Sequence, residues 1–250
     1  IGAWGFSRGG MGGVSQSLAS AFKEAGGEIR AGNGIEKFLC REGKVIGVAL
    51  DNGDEITAKT VVSNMDVRRT FLNHVEDGTL SDDFVKAVKR FKIRGSSAKL
   101  NIALDDMPDF PALPKGTILT QGDMHASQSL DELEQAYDEW KAGRWSKDPY
   151  FDMLIPSLID PTLAAPGKHM MTVFVQYAPY ELANGESWDG PNRDAMAESV
   201  ISKIAKYSPN FRDLIVHKEV RSPWDIEREV GLTEGNIFQG ELTFEQLLFN

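Results

Sequence analysis

Residues 8–31, RGGMGGVSQSLASAFKEAGGEIRA, confine the fold of this chain more than any other stretch. They read as a glycine turn, a helix and an extended run. Val14, Leu18 and Phe22 recur every four residues and put one apolar stripe on the helix. Gly26 and Gly27 end it, because glycine enters the left-handed region without a Cβ clash. EIRAGN and then IEKFLCREGKVIGVALDNGDEITAKTVVSN supply short extended runs. Gly43 turns one pair, and Asn52-Gly53 is a two-residue hairpin signal for the next. KTVVSN closes this part as a short buried strand.

Beyond residue 73 the elements alternate irregularly. SDDFVKAVKRFKI reads as a helix with Ser81 as its N-cap. LDELEQAYDEWKAG is a second helix, stopped by Gly143. RDAMAESVISKIAKYSP is a third, with Met196, Val200, Ile204 and Tyr207 on one side and Pro209 at its end. SAKLNIAL, YFDMLIPSLI, KHMMTVFVQYAP and DLIVHKEVRSP are rich in branched and aromatic residues and read as strands, and WDIEREVG as a short helix. The pattern is that of an α+β protein, with a boundary near residues 68–80. Residues 80–230 are expected to form one domain with a mixed or antiparallel sheet covered by helices.

Charge and composition narrow the partners. The net charge is −10, and the imbalance lies in the second part: residues 1–73 carry 9 basic and 8 acidic side chains, the remainder 18 and 29. An acidic surface repels phosphate backbones, so nucleic acid is excluded as a partner of the larger part. No apolar run approaches the ~20 residues that a membrane-spanning helix needs. The single Cys40 excludes a disulfide framework and a cysteine zinc site, and fits a reducing compartment: the cytoplasm, or the mitochondrial matrix in a eukaryote.

Few residues announce chemistry. Backbone N–H groups of GGMGG, before a helix, can face a phosphate or another electron-rich group; spacing alone favours a flexible turn, and it is not the dinucleotide fingerprint. His74, His125, His169 and His217 lie far apart without paired spacing and read as surface or packing residues. DNGDE lacks the later acidic ligand of a calcium loop, so no metal site is expected. The proline-rich stretch Met107–Gly116 reads as a surface connector, and Ser63-Asn64 either as a strand end or as an active-site loop. No nucleophile elbow or Ser/His/Asp set is visible. If the chain is enzymatic, a cofactor carries the reactive chemistry.

The ordered series from GGMGGVSQSLASAFKEAGGEI through the hairpin to VVSNMD resembles the middle of the phytoene desaturase-like FAD-dependent oxidoreductases. SLIDPTLAAPGKHMMTVFVQYAPY and GNIFQGELTFEQLLFN resemble one branch of that family more specifically, and the likeness covers nearly the whole chain. It implies an FAD-dependent oxidoreductase that removes a hydride from a C–H bond of a small, apolar substrate. Carotenoid-like, other polyunsaturated and amine substrates all fit. It also implies a partial FAD-binding domain over 1–73, a substrate domain over 74–234, and a return segment over 235–250. Gly9, Gly10 and Met11 match the loop near the flavin, Ser63 and Asn64 the strand-end loop near the cofactor, and Gly235 and Asn236 the return segment. Ile35 matches the position whose backbone packs near the adenine; as a residue it reads equally as ordinary strand core. The resemblance names no catalytic acid or base.

Members of that family begin with a strand, a G-x-G-x-x-G turn and a helix, and end with a second glycine-rich motif. Neither motif occurs here, so the sequence reads as an internal fragment. Alone it is expected not to hold FAD tightly, because the diphosphate-binding turn is missing. Its apolar C-terminal residues, Phe238 to Phe249, and the Val14–Leu18–Phe22 stripe are expected to be exposed and to drive self-association. The alternative reading is a noncatalytic binding or interaction domain on the same scaffold.

Overall fold

The computed structural model describes residues 5–114, 117, 123–127 and 129–248. In chain order the elements are α1 (Gly10–Glu24), β1 (Ile35–Arg41), β2 (Lys44–Leu50), β3 (Glu55–Thr57), α2 (Asp82–Arg90), β4 (Ser97–Leu104) and β5 (Met124–His125). They continue with α3 (Leu130–Lys141), β6 (Tyr150–Leu154), β7 (His169–Gln176), α4 (Pro191–Tyr207), α5 (Phe211–Leu214), β8 (Ile215–Arg221), α6 (Pro223–Val230) and α7 (Phe244–Leu248). The chain divides into a larger unit, Ile1–Gly27 with Ser96–Asp225, and a smaller one, Glu28–Gly95 with Ile226–Asn250. The expected divisions at 73/74 and 234/235 both fall inside the smaller unit. The architecture is α+β, with helices and antiparallel sheets.

The larger unit is built on a five-stranded sheet in the order β5-β6-β7-β4-β8, with every pairing antiparallel. Alternation along the strands decides which face is buried. Ala98, Leu100, Ile102 and Leu104 of β4, Phe151 and Met153 of β6, and Met171, Val173 and Val175 of β7 all enter one core. The helix α4 adds Met196, Val200 and Ile204, the stripe read from the sequence, and Tyr207 packs half-buried at its edge. Each fully buried aliphatic side chain contributes roughly 1.5–3 kcal/mol. The register Lys99↔Phe174, Asn101↔Thr172 and Asp152↔Phe174 puts polar and aromatic residues on the opposite face.

Helix α1 belongs to this unit and buries none of its residues. It ends as predicted: Gly26 takes φ 88°, and the N–H groups of Gly26 and Gly27 return to the carbonyls of Lys23 and Phe22. α3 stops at Gly143, also left-handed at φ 71°.

The smaller unit carries the meander β1-β2-β3. Glu42 (φ 51°) and Gly43 (φ 72°) make the tight turn between β1 and β2. The second turn is one residue longer than its Asn52-Gly53 signal predicts: the Leu50 N–H bonds to the Asp54 carbonyl at 2.8 Å, leaving a three-residue loop with Gly53 left-handed. Ser81 caps α2 by accepting the Phe84 N–H at 3.4 Å. Two extended runs are corrected. EIRAGN and KTVVSN form no strands, and Val62 stands 88% exposed rather than buried. A strand exists through its neighbours, and among the described residues neither segment has one.

Residues 236–246 fold against residues 92–95. The Glu241 N–H bonds to the Lys92 carbonyl, and Gln246 Oε1 accepts the Lys92 N–H at 2.6 Å. Position 95 must be glycine, because a Cβ there would lie 1.9 Å from the Glu234 carbonyl oxygen.

Candidate functional site

The glycine turn is shaped by two consecutive left-handed residues, Gly9 (φ 81°) and Gly10 (φ 68°), that swing the chain into α1. No acidic residue occupies the first turn of that helix, and no side chain caps it. The Gly9 N–H instead donates to Asp160 Oδ2 at 2.6 Å, a carboxylate 151 residues away. Asp160 is buried, and its other oxygen accepts the Thr162 hydroxyl at 2.6 Å and the Thr162 N–H at 3.1 Å. These bonds, the Thr162 hydroxyl first and then the Gly9 N–H, hold the Asp160 carboxyl below the usual carboxylate range. The electron-rich partner of this turn is thus supplied by the chain itself. Met11 points outward and is 77% exposed.

In the smaller unit, Ile35 opens β1 and lines a cavity of about 350 Å³. Val48, Leu50 and Ile56 form its apolar wall with Ile35, and Glu28, Arg30 and Asn33 its polar rim. The loop before Ile35 is fixed by the Gly34 N–H, which donates to Asp51 Oδ2 at 3.0 Å; a Cβ on Gly34 would lie 2.9 Å from that oxygen. Arg30 and Glu28 pair across 2.6 Å at the rim.

Ser63 lines a different cavity in the same unit, about 370 Å³, walled by Phe38, Val61, Met65 and Phe71. Its hydroxyl bonds with the Thr70 hydroxyl at 2.9 Å, and Asn64 beside it is exposed. Gly235 takes φ 67° and lets the chain turn. Asn236 organises that turn: its Nδ2 donates to the Arg94 carbonyl, and its Oδ1 accepts the N–H groups of Phe238 and Gly240. Gly9, Gly10 and Met11 therefore sit together in the larger unit. Ile35, Ser63, Asn64, Gly235 and Asn236 lie in the smaller one, with Ile35 and Ser63 lining separate cavities.

The open face of the five-stranded sheet holds a network that the sequence reading missed. The register sets His125 opposite Asp152 at the β5–β6 edge, where the His125 Nδ1 meets the Asp152 carboxylate oxygen Oδ1. Tyr150, two residues before Asp152 and so on the same face, donates its hydroxyl to Asp152 Oδ1 at 3.0 Å and stacks on His125 at 6.0 Å. Burial, and then the Asp152 carboxylate, push the Tyr150 hydroxyl up to about 12, so it keeps its proton at neutral pH. Further along that face, Thr172 donates to Asn101, which donates to Glu219. The signal for this network was the alternation in YFD, which puts Tyr150 and Asp152 on one side. His125 carried no local signal. Among the described residues no cluster of His, Cys, Asp or Glu is arranged to hold a metal ion, and no helix is long and apolar enough to cross a membrane.

The family model described as flavin containing amine oxidoreductase matches residues 2–231. The chain belongs to that family. It is 34% identical to pyridine nucleotide-disulfide oxidoreductase domain-containing protein 2 of Rattus norvegicus, over 99% of this chain and 44% of that protein. It is 27% identical to prolycopene isomerase 2, chloroplastic, of an Oncidium hybrid cultivar (86% of this chain, 34% of that one). Phytoene desaturase of Phycomyces blakesleeanus is 25% identical over 78% of this chain and 32% of its own length. The resemblance to phytoene desaturase-like proteins read from the sequence is thus borne out. Among solved structures, an oxidoreductase from Methanosarcina mazei superposes with a TM-score of 0.54 at 19% identity, covering 86% of this chain and 43% of that one, which shows a shared fold. The chain spans less than half the length of the curated relatives it matches.

Proposed function

We propose that this chain is part of an FAD-dependent oxidoreductase that oxidises a C–H bond of an apolar, polyunsaturated substrate. The family match supports the flavin, and the names of the prolycopene isomerase and phytoene desaturase relatives support the substrate class. The observation that carries the reading within the molecule is the cavity at Ile35. Its aliphatic wall suits the faces of an adenine ring, and Arg30 and Asn33 offer donors to the ring edge. The residues present therefore fit the adenine end of FAD.

Bound FAD would supply the acceptor of the hydride, which carries both electrons of the C–H bond. This chain's own residues would bind, orient and exclude water. Ile35 and its neighbours would hold the adenine. Gly9, Gly10 and Met11 would form the turn near the flavin, Ser63 and Asn64 the loop beside the cofactor, and Gly235 and Asn236 the segment returning toward it. In this reading residues 1–73 are the FAD-domain portion, 74–234 the substrate domain and 235–250 the return segment. The open sheet face, with Phe174, Leu154 and the proton-retaining Tyr150, would orient the substrate. The diphosphate-binding turn would come from the additional length that the relatives possess, so this chain alone would bind FAD weakly.

The test is visible absorbance. A protein extended to the relatives' length should purify yellow, and Ile35→Asp should release the flavin while the 250-residue chain stays colourless. A colourless extended protein that does not take up added FAD would overturn the reading.

A further inference from the structure

Helix α1 presents a mechanical problem that the glycine turn does not solve alone. None of its residues is buried, and Met11, Leu18 and Phe22 face outward. Something other than apolar packing must fix its N-terminus within the larger unit. The Gly9–Asp160 bond at 2.6 Å does this, joined by a close approach of Gly10 to Leu163, whose Cδ2 lies 3.9 Å from where a Cβ on Gly10 would be. The carboxylate also puts a negative charge at the positive end of a helix that has no acid in its first turn.

Asp160 is itself immobilised. Thr162 grips its second oxygen through both hydroxyl and N–H. The Asp160 N–H bonds back to the Pro156 carbonyl, and prolines at 156 and 161 start the two 3₁₀ turns on either side. Ser157 ties the first of these turns to the sheet: its hydroxyl oxygen accepts the Met170 N–H of β7 at 3.1 Å and lies 3.3 Å from His169 Nδ1. Ser157 thus fastens to β7 the same 3₁₀ turn whose Pro156 carbonyl accepts the Asp160 N–H, and Asp160 in turn holds Gly9.

We propose that Asp160 is a positioning residue: it sets the place of the glycine turn relative to the open face of the five-stranded sheet. Resting on the flavin reading above, this makes it the group that registers the flavin-side turn against the substrate-bearing sheet. A charged, rigid acceptor is required, because a neutral or mobile one leaves the Gly9 N–H with a weaker bond.

The experiment uses Asp160→Asn, Asp160→Ala and the milder Thr162→Val. In the 250-residue chain, tryptic cleavage after Arg8 should become about tenfold faster in Asp160→Ala, the loss of one charge-assisted hydrogen bond. The Gly9 amide proton resonance should move upfield in both Asp160 variants and by less in Thr162→Val. A folded Asp160→Asn with the parental Gly9 resonance and cleavage rate overturns the proposal, and Thr162→Val decides in the same way if the Asp160 variants do not fold. In the extended, flavin-containing protein, Asp160→Asn should shift the flavin absorption bands and lower kcat with KM unchanged; unaltered bands and kcat overturn the positioning role. Absence of flavin from the unsubstituted extended protein fails the flavin reading instead, while the Gly9 readouts judge the contact independently.

Discussion

Arg94 grips Glu241 with both prongs of its guanidinium, Nε to Oε1 at 2.8 Å and Nη2 to Oε2 at 2.9 Å. Glu241 Oε1 also accepts the Arg94 N–H at 3.2 Å, so one carboxylate ties residue 241 to residue 94 three times. The Arg94 hydrogen bond holds the Glu241 carboxyl below its usual range, against the opposing effect of burial. A lowered folded value gives stability that is present above the ordinary glutamate value of about 4.3 and is lost as pH falls through the folded one. Acid should therefore loosen residues 236–247 before the five-stranded sheet. Glu241→Gln should remove that acid dependence and cost about 1 kcal/mol at neutral pH, since half-exposed Arg94 is screened by water. Hydrogen exchange at the Lys92 and Arg94 amides between pH 3 and 7 measures both effects.

Lys203 lies on the buried side of α4, 3% exposed, with Asp148 at 3.2 Å and Glu132 at 3.4 Å. Both acidic side chains are partly exposed, whereas the lysine side chain is not. Removing the carboxylates should hurt more than removing the lysine. Glu132→Gln with Asp148→Asn strands a buried charge and should cost about 3 kcal/mol, while Lys203→Met should stay within about 1 kcal/mol of the parent. Urea midpoints of the three proteins test the ordering.

Phe151 is fully buried among β4, β7 and α4 residues. Phe151→Ala should cost about 3–5 kcal/mol through lost transfer energy and a residual cavity. Val62→Ser, at a branched residue the sequence placed in a buried strand, should change stability by less than about 0.5 kcal/mol. Thermal unfolding of the two variants separates a core residue from an apolar one without a neighbour.

Phe238, Leu242, Phe244 and Leu247 are all exposed. Burying such apolar area contributes roughly 25 cal/mol per Å², so the 250-residue chain should self-associate at micromolar concentration. Phe244→Ser with Leu247→Ser should reduce the scattering mass toward the monomer. An unchanged mass would move the association surface elsewhere, with Leu18 and Phe22 of α1 the next pair to substitute.

Local physics made much of this protein readable from its residues. The four-residue rhythm of Met196, Val200 and Ile204 placed α4 against a sheet, because a helix returns to the same face at that spacing. The alternation in KLNIAL and MMTVFVQY gave paired strands, Ser81 gave a helix start, and Gly26 and Gly143 gave helix stops. Each of these depends on residues a few positions apart. Glycine at 9 and 10 likewise announced a turn before α1, and the ordered motifs announced the family.

Tertiary structure alone decided the rest, because the deciding partner lies far along the chain. KTVVSN has the composition of a strand, but pairing is a property of two segments, and only the fold shows that no strand among the described residues pairs with it. Asp160 looks like any turn aspartate until the fold brings it to the Gly9 N–H. His125 acquires a role only when β5 and β6 come into register and set it opposite Asp152. Arg94 and Glu241, 147 residues apart, are ordinary surface charges in the sequence. Side-chain periodicity fixes which face of an element is apolar; it carries no information about which distant polar group will reach a given hydrogen bond.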